Sequence, residues 1–533
     1  MRLSLLLSSI ALTLTNSAAA DWQHEVLFTK PSCPTQRFTS VRLPEVSDTY
    51  KLLLEEEALL DNADEILLAF DELPRTSIEG AIATLGGEPR DTIPAGVFCD
   101  DEDREASLVR ASESSTRDTD SPYLRVFDWM DTVKPKDKVF VTSMSFSSRE
   151  FATALCEKAQ TGTEVKLFIH EPRRENTAYG IVSDCRLDSN EQAIELIEYP
   201  SDRGRLAHMK AIVIDYQDLT HSEDLRDRVR YTFQSANLST SGLWAHHENW
   251  NFITSTRDHW LAKDHLCLRD SVNDFTMTNL NRFYEAMTEC REERGINTDR
   301  AQDNEIAAYF TPIFSREGYN DRRALRDMLN DELSRANKVQ IAVHHLTDRE
   351  LMDRLSLGLR NDEFSVELLL DDDLFWTAYS DFEEPFVDSN GRRYFQPIDY
   401  SRRCDWGKTR EEAEDCFTIF RRNEYQDINE KLIREGATVK YVEANHLGFK
   451  LFHHKFMIVH YDRPYKGYDK SVFTGAGNFS RSGFERNFEN YFLVRRPDFV
   501  KVFDENFVRL WDLAASKNEL PISWDFTTTD ILQ

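Results

Sequence analysis

Two short stretches of this chain pair an imidazole with an ammonium at the same spacing. They are His208-Met209-Lys210 and His453-His454-Lys455, each followed by four apolar residues and then a polar one, Asp215 in the first and His460 in the second. Side chains alternate faces along an extended strand, so His208 and Lys210 emerge on one side, as do His453 and Lys455. A nucleophile and a cation then point into one pocket. The apolar runs that follow read as central strands covered on both faces.

Either triplet alone is a weak signal, because a lone histidine in an apolar strand is usually a packed core residue. A second shared block changes this. Asn237 lies 29 residues after His208 and Asn478 lies 25 after His453, and each begins a run with serines at the second and fourth following positions and glycine at the fifth: Ser239, Ser241 and Gly242, then Ser480, Ser482 and Gly483. Glu248-Asn249 and Glu489-Asn490 recur eleven and twelve positions beyond each asparagine. The chain therefore carries one catalytic half-site written twice.

The paired pattern resembles the phospholipase D superfamily, whose two H-x-K-x-x-x-x-D motifs meet at a pseudo-two-fold axis to make one phosphodiester-cleaving site. The resemblance implies that one imidazole attacks phosphorus to give a phosphohistidine, while the other protonates the leaving oxygen and then activates water or an alcohol. By similarity to secreted bacterial phospholipases D, His208 is expected to be the nucleophile and His453 the general acid/base, with the reverse as the alternative. Lys210 and Lys455 would neutralise the non-bridging oxygens, and Asn237 and Asn478 would donate hydrogen bonds as charge shifts in the transition state. Glu248 and Glu489 match the acidic residue that orients an active-site histidine through its second ring nitrogen. Asp215, Ser235, Asn249 and Asn490 complete the expected set. No cofactor is implied and no metal is needed; Asp371-Asp372-Asp373, after an expected strand, is the competing cation site. Two departures fall in the second half, where His460 replaces the motif aspartate and Ala476 replaces the serine that Ser235 supplies in the first. His246 and His454 carry no assignment.

The elements that must position these residues also repeat. A strand from Lys138, a helix over Arg149 to Gln160 and a strand from Glu164 have counterparts in a strand from Lys338, a helix over Arg349 to Leu359 and a strand from Ser365. Strands alternating with helices predict two homologous α/β domains with mainly parallel sheets, related by a pseudo-two-fold axis with the site at their interface. The expected boundaries are a non-repeated N-terminal extension over 21–120 with a helix over Leu52 to Phe70, a first domain over 121–290, a linker over 291–304, and a second domain over 305–533. An insertion over about 372–424 is expected near the site entrance.

A chain of 533 residues, 40% of them hydrophobic, can bury two substantial cores. Arg2, the apolar Leu3 to Leu14 and Ala18-Ala19-Ala20 before Asp21 read as a signal peptide over 1–20, giving a secreted or periplasmic expectation. The eight cysteines fit an oxidising compartment and favour disulfides over zinc. Cys404 and Cys416 are placed to staple the insertion, and Cys156, on the apolar face of a helix, is the candidate buried free thiol.

The formal charge of -29 disfavours nonspecific binding to a phosphate backbone without removing a locally basic cleft, for which Arg173-Arg174 and Arg402-Arg403 are available. The expected activity is hydrolysis of phospholipid head-group phosphodiesters, with transfer to alcohols as an extension. A nuclease is the alternative, and a non-catalytic binding protein on a decayed scaffold the third reading. The implied partners are a phospholipid or other phosphodiester, nucleic acid as the alternative substrate, and transient contact with a membrane surface; a monomer is expected. The sequons at Asn237 and Asn478 would lie in the pocket and are discounted as glycan sites.

Overall fold

The computed structural model describes residues 22–29, 37–42, 92–98, 121–170, 177–199, 206–239, 242–243, 246–272, 280–296, 305–311, 324–344, 346–371, 386–387, 393–394, 432–442 and 452–516. Its strands in chain order are β1 Trp22–Phe28, β2 Arg37–Arg42, β3 Thr92–Phe98, β4 Lys138–Ser143, β5 Glu164–His170, β6 Ile194–Tyr199, β7 Ala211–Asp215, β8 Arg228–Gln234 and β9 Asn249–Thr256 in the first half. The second half contributes β10 Ile306–Thr311, β11 Ala336–Val343, β12 Ser365–Asp371, β13 Phe386–Val387, β14 Arg393–Tyr394, β15 Thr438–Val442, β16 Lys455–Tyr465, β17 Tyr468–Gly475, β18 Glu489–Val494 and β19 Ala515–Ser516. The helices are α1 Pro122–Asp131, α2 Arg149–Gln160, α3 Thr177–Ser183, α4 Trp260–Ser271, α5 Leu280–Glu293, α6 Ala324–Leu333, α7 Arg349–Arg360, α8 Arg481–Glu485 and α9 Pro497–Leu513.

One sheet runs β1-β9-β8-β7-β4-β5-β6 and the other β10-β18-β17-β16-β11-β12-β15-β19, so the two halves match strand for strand and β19 is an added edge. The H-x-K strands β7 and β16 are central in both. Their direction corrects the mainly parallel expectation, because only β4-β5-β6 and β11-β12-β15 pair in parallel. Parallel pairing needs a crossover, which α2 and α7 supply to the first pair in each half. The strands from β7 to β9 and from β16 to β18 pair antiparallel instead. At β16–β17 the reversal is a two-residue turn whose Lys466 and Gly467 both have positive φ, 54° and 90°. That is the conformation a tight hairpin selects.

Two boundaries also change. β1 pairs antiparallel with β9 as β10 does with β18, so the repeat begins at Trp22 and not at Ser121. Trp22–Phe28 is thus an edge strand of the first sheet, and the helix expected over Leu52 to Phe70 lies outside the described residues. The pairing of Trp22 with Ser255 spans too much sequence to leave any local signal. Helix α5 runs to Glu293, and Arg291, placed in the linker, is buried and bonds Asp264 through Nε at 2.5 Å. Of the insertion over 372–424, only the β13–β14 ribbon is described.

Alternation along the central strands sorts the core into layers. Val213 of β7 and Phe456 and Ile458 of β16 face a shared core between the sheets, while Ile212 and Ile214, and Met457 and Val459, face outward. In that shared core the rings of Phe233 and Phe492 stack with centroids 3.8 Å apart, and α4 and α9 add Leu266, Phe499 and Phe503. Helices α1, α2 and α3 cover the outer face of the first sheet, and α6 and α7 that of the second. The halves are therefore joined by an apolar interior like that of a single domain.

Cys156 is not a free thiol: it is disulfide-bonded to Cys185, which the packing of α3 on α2 brings alongside, and Cys267 is bonded to Cys290 between α4 and α5. The other four cysteines, including the pair Cys404 and Cys416, lie outside the described residues. Among the described residues no helix is long and apolar enough to cross a membrane.

Phe233 is fully buried at the join between the halves. Phe233→Ala is expected to cost about 3–5 kcal/mol through lost transfer energy and a cavity. Chemical denaturation should show one cooperative transition at lower denaturant; two separated transitions would mean that the halves unfold independently.

Candidate active site

The site lies at the N-terminal ends of β7 and β16, where the sheets present equivalent edges to each other. The H-x-K residues are extended just before or at the strand starts, as the alternation predicts. Neighbouring chain holds them there: His208 N donates to Phe488 O at 2.9 Å, Phe488 N returns a bond to Leu206 O at 2.8 Å, and His344 N donates to His454 O at 3.0 Å. Asn490 clamps the Lys210 peptide, its Oδ1 accepting from Lys210 N at 3.1 Å and its Nδ2 donating to Lys210 O at 3.2 Å. Asn249 Oδ1 accepts from Lys455 N at 3.4 Å, while its Nδ2 donates to Thr474 Oγ1 at 3.0 Å, and Thr474 bonds on to Lys455 O.

The carboxylates cross between the halves. Glu489 Oε2 bonds Nδ1 of His208 at 2.6 Å, and Glu248 Oε1 bonds Nδ1 of His453 at 2.6 Å. Each half orients the other half's histidine, leaving Nε2 of both rings for a substrate. Lys210 and Lys455 are fully buried, with Nζ reaching the carbonyls of His208 at 3.2 Å and His453 at 3.0 Å.

Each asparagine of the second block sits on a tight loop that the serines and glycines build. Ser239 Oγ accepts from Gly242 N at 2.9 Å and Ser480 Oγ from Gly483 N at 3.0 Å. A Cβ on Gly242 would lie 2.3 Å from Asn237 O, and one on Gly483 would lie 2.4 Å from Asn478 O, so no other residue fits. Asn237 Oδ1 accepts from Ser145 N at 3.3 Å, which leaves Nδ2 without a protein partner. Asn478 likewise keeps Oδ1 unpartnered, and a flip of the amide exchanges its two ends.

Asp215 is not in the site. It ends β7, roughly 16 Å along the strand from Lys210. There it receives Arg257 at 2.6 Å, Arg269 at 3.1 Å and Gln217 Nε2 at 2.8 Å. The strand period places it on neither ring, so its role is an ion-pair anchor. His460 occupies the same remote position, bonding Gln340 Oε1 at 2.8 Å, and its departure from the motif leaves the site untouched. The Ala476 departure does reach the site. Ser235 bonds Glu248 Oε2 and accepts from Asn249 N at 2.9 Å. In the second half Asn487 supplies the missing polar contact, its Nδ2 donating to Glu489 Oε1 at 3.3 Å.

Burial governs the ionisation. It pushes the Glu248 and Glu489 carboxyls up to about 8, against the opposing pull of Lys455 and Lys210 and of the Ser235 and Asn487 hydrogen bonds. Burial, then the lysine ammoniums, holds His208 and His453 well below the ordinary imidazole value. That both lysines act on both histidines follows from the half-sites meeting. Each Glu–His pair therefore shares one proton that it releases as a unit. With the proton, Nε2 carries hydrogen and the pair is an acid; without it, Nε2 has a free lone pair.

The family described as "Cardiolipin synthase, PLD-like domain" matches residues 132–265 and 329–511, more than half of the chain and both H-x-K repeats. The chain belongs to the phospholipase D superfamily. Among curated proteins none matches the sequence. Among solved structures, phosphatidylserine synthase from Haemophilus influenzae Rd KW20 is similar at 15% identity and TM-score 0.46, over 79% of this chain and 89% of that one. Polyphosphate kinase from Porphyromonas gingivalis is similar at 11% identity and TM-score 0.39 over 73% of this chain, which spans 48% of the kinase's length. The phospholipase D family member Nuc from Salmonella typhimurium is covered over 96% of its length by 40% of this chain, at 14% identity and TM-score 0.24.

Within this superfamily member several site residues carry no sequence motif. Thr29, just beyond β1, bonds the carbonyl of His246 and accepts from Glu248 N at 2.6 Å; Thr311, at the end of β10, bonds the carbonyls of Gly483 and Asn487, both at 3.1 Å. Both threonines brace the turn before a glutamate, and only the strand pairing reveals them. Asn487 was legible in principle, since it stands two residues before Glu489 as His246 stands before Glu248. Among the described residues one group could ligate a metal: His246, Glu248 and His453, with ligand atoms within 4.8 Å of one another.

Because Asp215 anchors ion pairs and touches neither ring, Asp215→Ala is expected to destabilise by about 3–5 kcal/mol through the stranded Arg269. Turnover per folded molecule should stay within about twofold of wild type on the same reasoning. Denaturant midpoints and active-fraction-corrected kcat check both; a large kcat loss at unchanged stability would return Asp215 to the chemistry.

Proposed function

We propose that this chain is a phosphodiesterase of phospholipase D type, working through a phosphohistidine and hydrolysing phospholipid head-group phosphodiesters, with transfer to alcohols where these replace water. The observation that carries the reading is the crossed pair of Glu–His bonds, with both lysine ammoniums acting on both histidines. A phosphodiester monoanion would lie against Lys210 and Lys455, with Asn237 and Asn478 available to its non-bridging oxygens. We assign the deprotonated pair His208–Glu489 to in-line attack at phosphorus, which forms the N–P bond. The protonated pair His453–Glu248 delivers its Nε2 hydrogen to the departing oxygen. It then takes a proton from water, whose oxygen displaces His208 and restores both pairs.

Phospholipid is preferred over nucleic acid because a body of net charge -29 repels a polyanion. The same reading includes export, which the apolar Leu3 to Leu14 run ahead of Ala18-Ala19-Ala20 supports. The deciding experiment is a panel assay of the purified protein on mixed phospholipids and on single- and double-stranded DNA, with chelator present. Release of head group without DNA cleavage is expected, and the reverse pattern would make the chain a nuclease. Activity lost in chelator and restored by metal would overturn the mechanism.

The shared site predicts non-additivity. His208→Ala and His453→Ala should each abolish steady-state turnover, and the double variant should be hardly worse. With a substrate bearing a good leaving group, His453→Ala should still accumulate phosphate on His208, read by mass spectrometry after alkaline digestion. An adduct on His453 in the His208→Ala variant would reverse the assignment.

The pH profile follows from the pairs. One must have lost its proton while the other retains it, and both carboxyls titrate near 8. At lower pH both pairs hold their protons and the nucleophile is blocked; at higher pH both lose them and the leaving oxygen goes unprotonated. kcat/KM is expected to rise towards about pH 8 and fall beyond it; a flat profile from acid to alkaline pH would contradict the shared-proton scheme.

A further inference from the structure

We propose that His246, Glu248 and His453 form a site for a divalent d-block cation, Zn2+ being the chemical type, and that a bound ion switches the enzyme off. The chemistry of the donors is that of a three-ligand zinc site, two imidazole nitrogens and one carboxylate oxygen, with a fourth position open. The ligand atoms lie within 4.8 Å of one another, against roughly 3.4 Å between the donors of a tetrahedral zinc. Glu248 Oε1 is the common neighbour, 2.6 Å from His453 Nδ1 and 3.7 Å from His246 Nδ1, so modest ring movements suffice. The outer support that such a site needs is in place. Ser235 holds the second oxygen of Glu248, and Thr29 holds the backbone at both His246 and Glu248.

The ion would replace the proton that His453 and Glu248 share, releasing it to solvent. His453 would then have its Nδ1 lone pair bound to metal, and its Nε2 could no longer cycle a proton to and from the substrate. The effect is confined to one half-site. Position 246 is matched across the pseudo-two-fold by Asn487, so the His208–Glu489 pair has a carboxamide where the His453–Glu248 pair has a third ligand. One ion per chain is therefore expected. Binding does not depend on the proposed reaction; only the inhibitory part rests on it.

The test starts from full-length, metal-free protein. Equilibrium dialysis with Zn2+ alone should give one ion per chain, and Co2+ should give the visible bands of a tetrahedral site without thiolate-to-metal bands. Zinc should suppress phosphodiester turnover, and chelator should restore it. His246→Asn, which installs the residue its mate already carries, should weaken Zn2+ by at least roughly tenfold, and its turnover with and without zinc should converge. Asn487→His should raise the stoichiometry to two. No binding to the wild type, thiolate bands, or unchanged affinity in His246→Asn would each overturn the site. Binding without inhibition would overturn the switch, and binding to a protein inactive on every phosphodiester would leave the site standing while sinking the proposed function.

Discussion

The crossed bonds between Glu489 and His208 and between Glu248 and His453 are the constraint on which this molecule depends. A 2.6 Å contact between groups on different sheets tolerates little drift, so the halves must be docked as firmly as elements of one domain. The shared apolar core meets that demand, with Phe233 stacked on Phe492 and Phe499 and Phe503 packed beside them. Burial in turn makes the site what it is. Two ammoniums, two carboxyls and two imidazoles removed from water are tolerable only when the positive and negative groups balance and their hydrogen-bonding positions are filled. The same desolvation moves the carboxyls up and the imidazoles down, turning each pair into a proton-sharing unit.

Duplication preserved the scaffold more strictly than the surroundings of the carboxylates. Thr29 and Thr311 brace equivalent turns, and Gly242 and Gly483 close equivalent loops against an asparagine carbonyl. Ser148 and Asp348 cap equivalent helices, each accepting from the backbone N–H three residues on. Around the glutamates the halves diverge: Ser235 and His246 flank Glu248, whereas Asn487 alone stands in for both beside Glu489. A two-step displacement needs a nucleophile and an acid in different protonation states, and unequal neighbours are a physical means of separating them. The motif aspartate lies outside this economy. Asp215 and its counterpart His460 tie the far ends of their strands to different partners, so that position can change without touching the chemistry.

Local information was legible where local physics decides. The spacing of His208 and Lys210 follows from strand alternation, the helix over Arg149 to Gln160 from its periodicity and its cap at Ser148, and the central position of β7 from an unbroken apolar run. Repetition then placed Lys455, Asn478 and Glu489 by analogy. Reading failed where an element is specified by something distant. β1 belongs to the first sheet only because β9 is there to pair with it. Cys156 finds Cys185 only because α3 packs on α2, and the antiparallel return of β8 and β9 depends on connections with no crossover helix among the described residues.

By itself the sequence determined that one half-site is present twice, which side chains share a strand face, and that two α/β units carry them. Composition and spacing encode those things within a few residues of each position. Tertiary structure decided that each glutamate serves the opposite half's histidine and that Asp215 stands apart. These are relations between side chains more than 200 positions apart in the crossed pairs, or at opposite ends of one strand. Only the docking of two sheets through a common core brings the first together, and only the rise of the extended strand keeps the second apart.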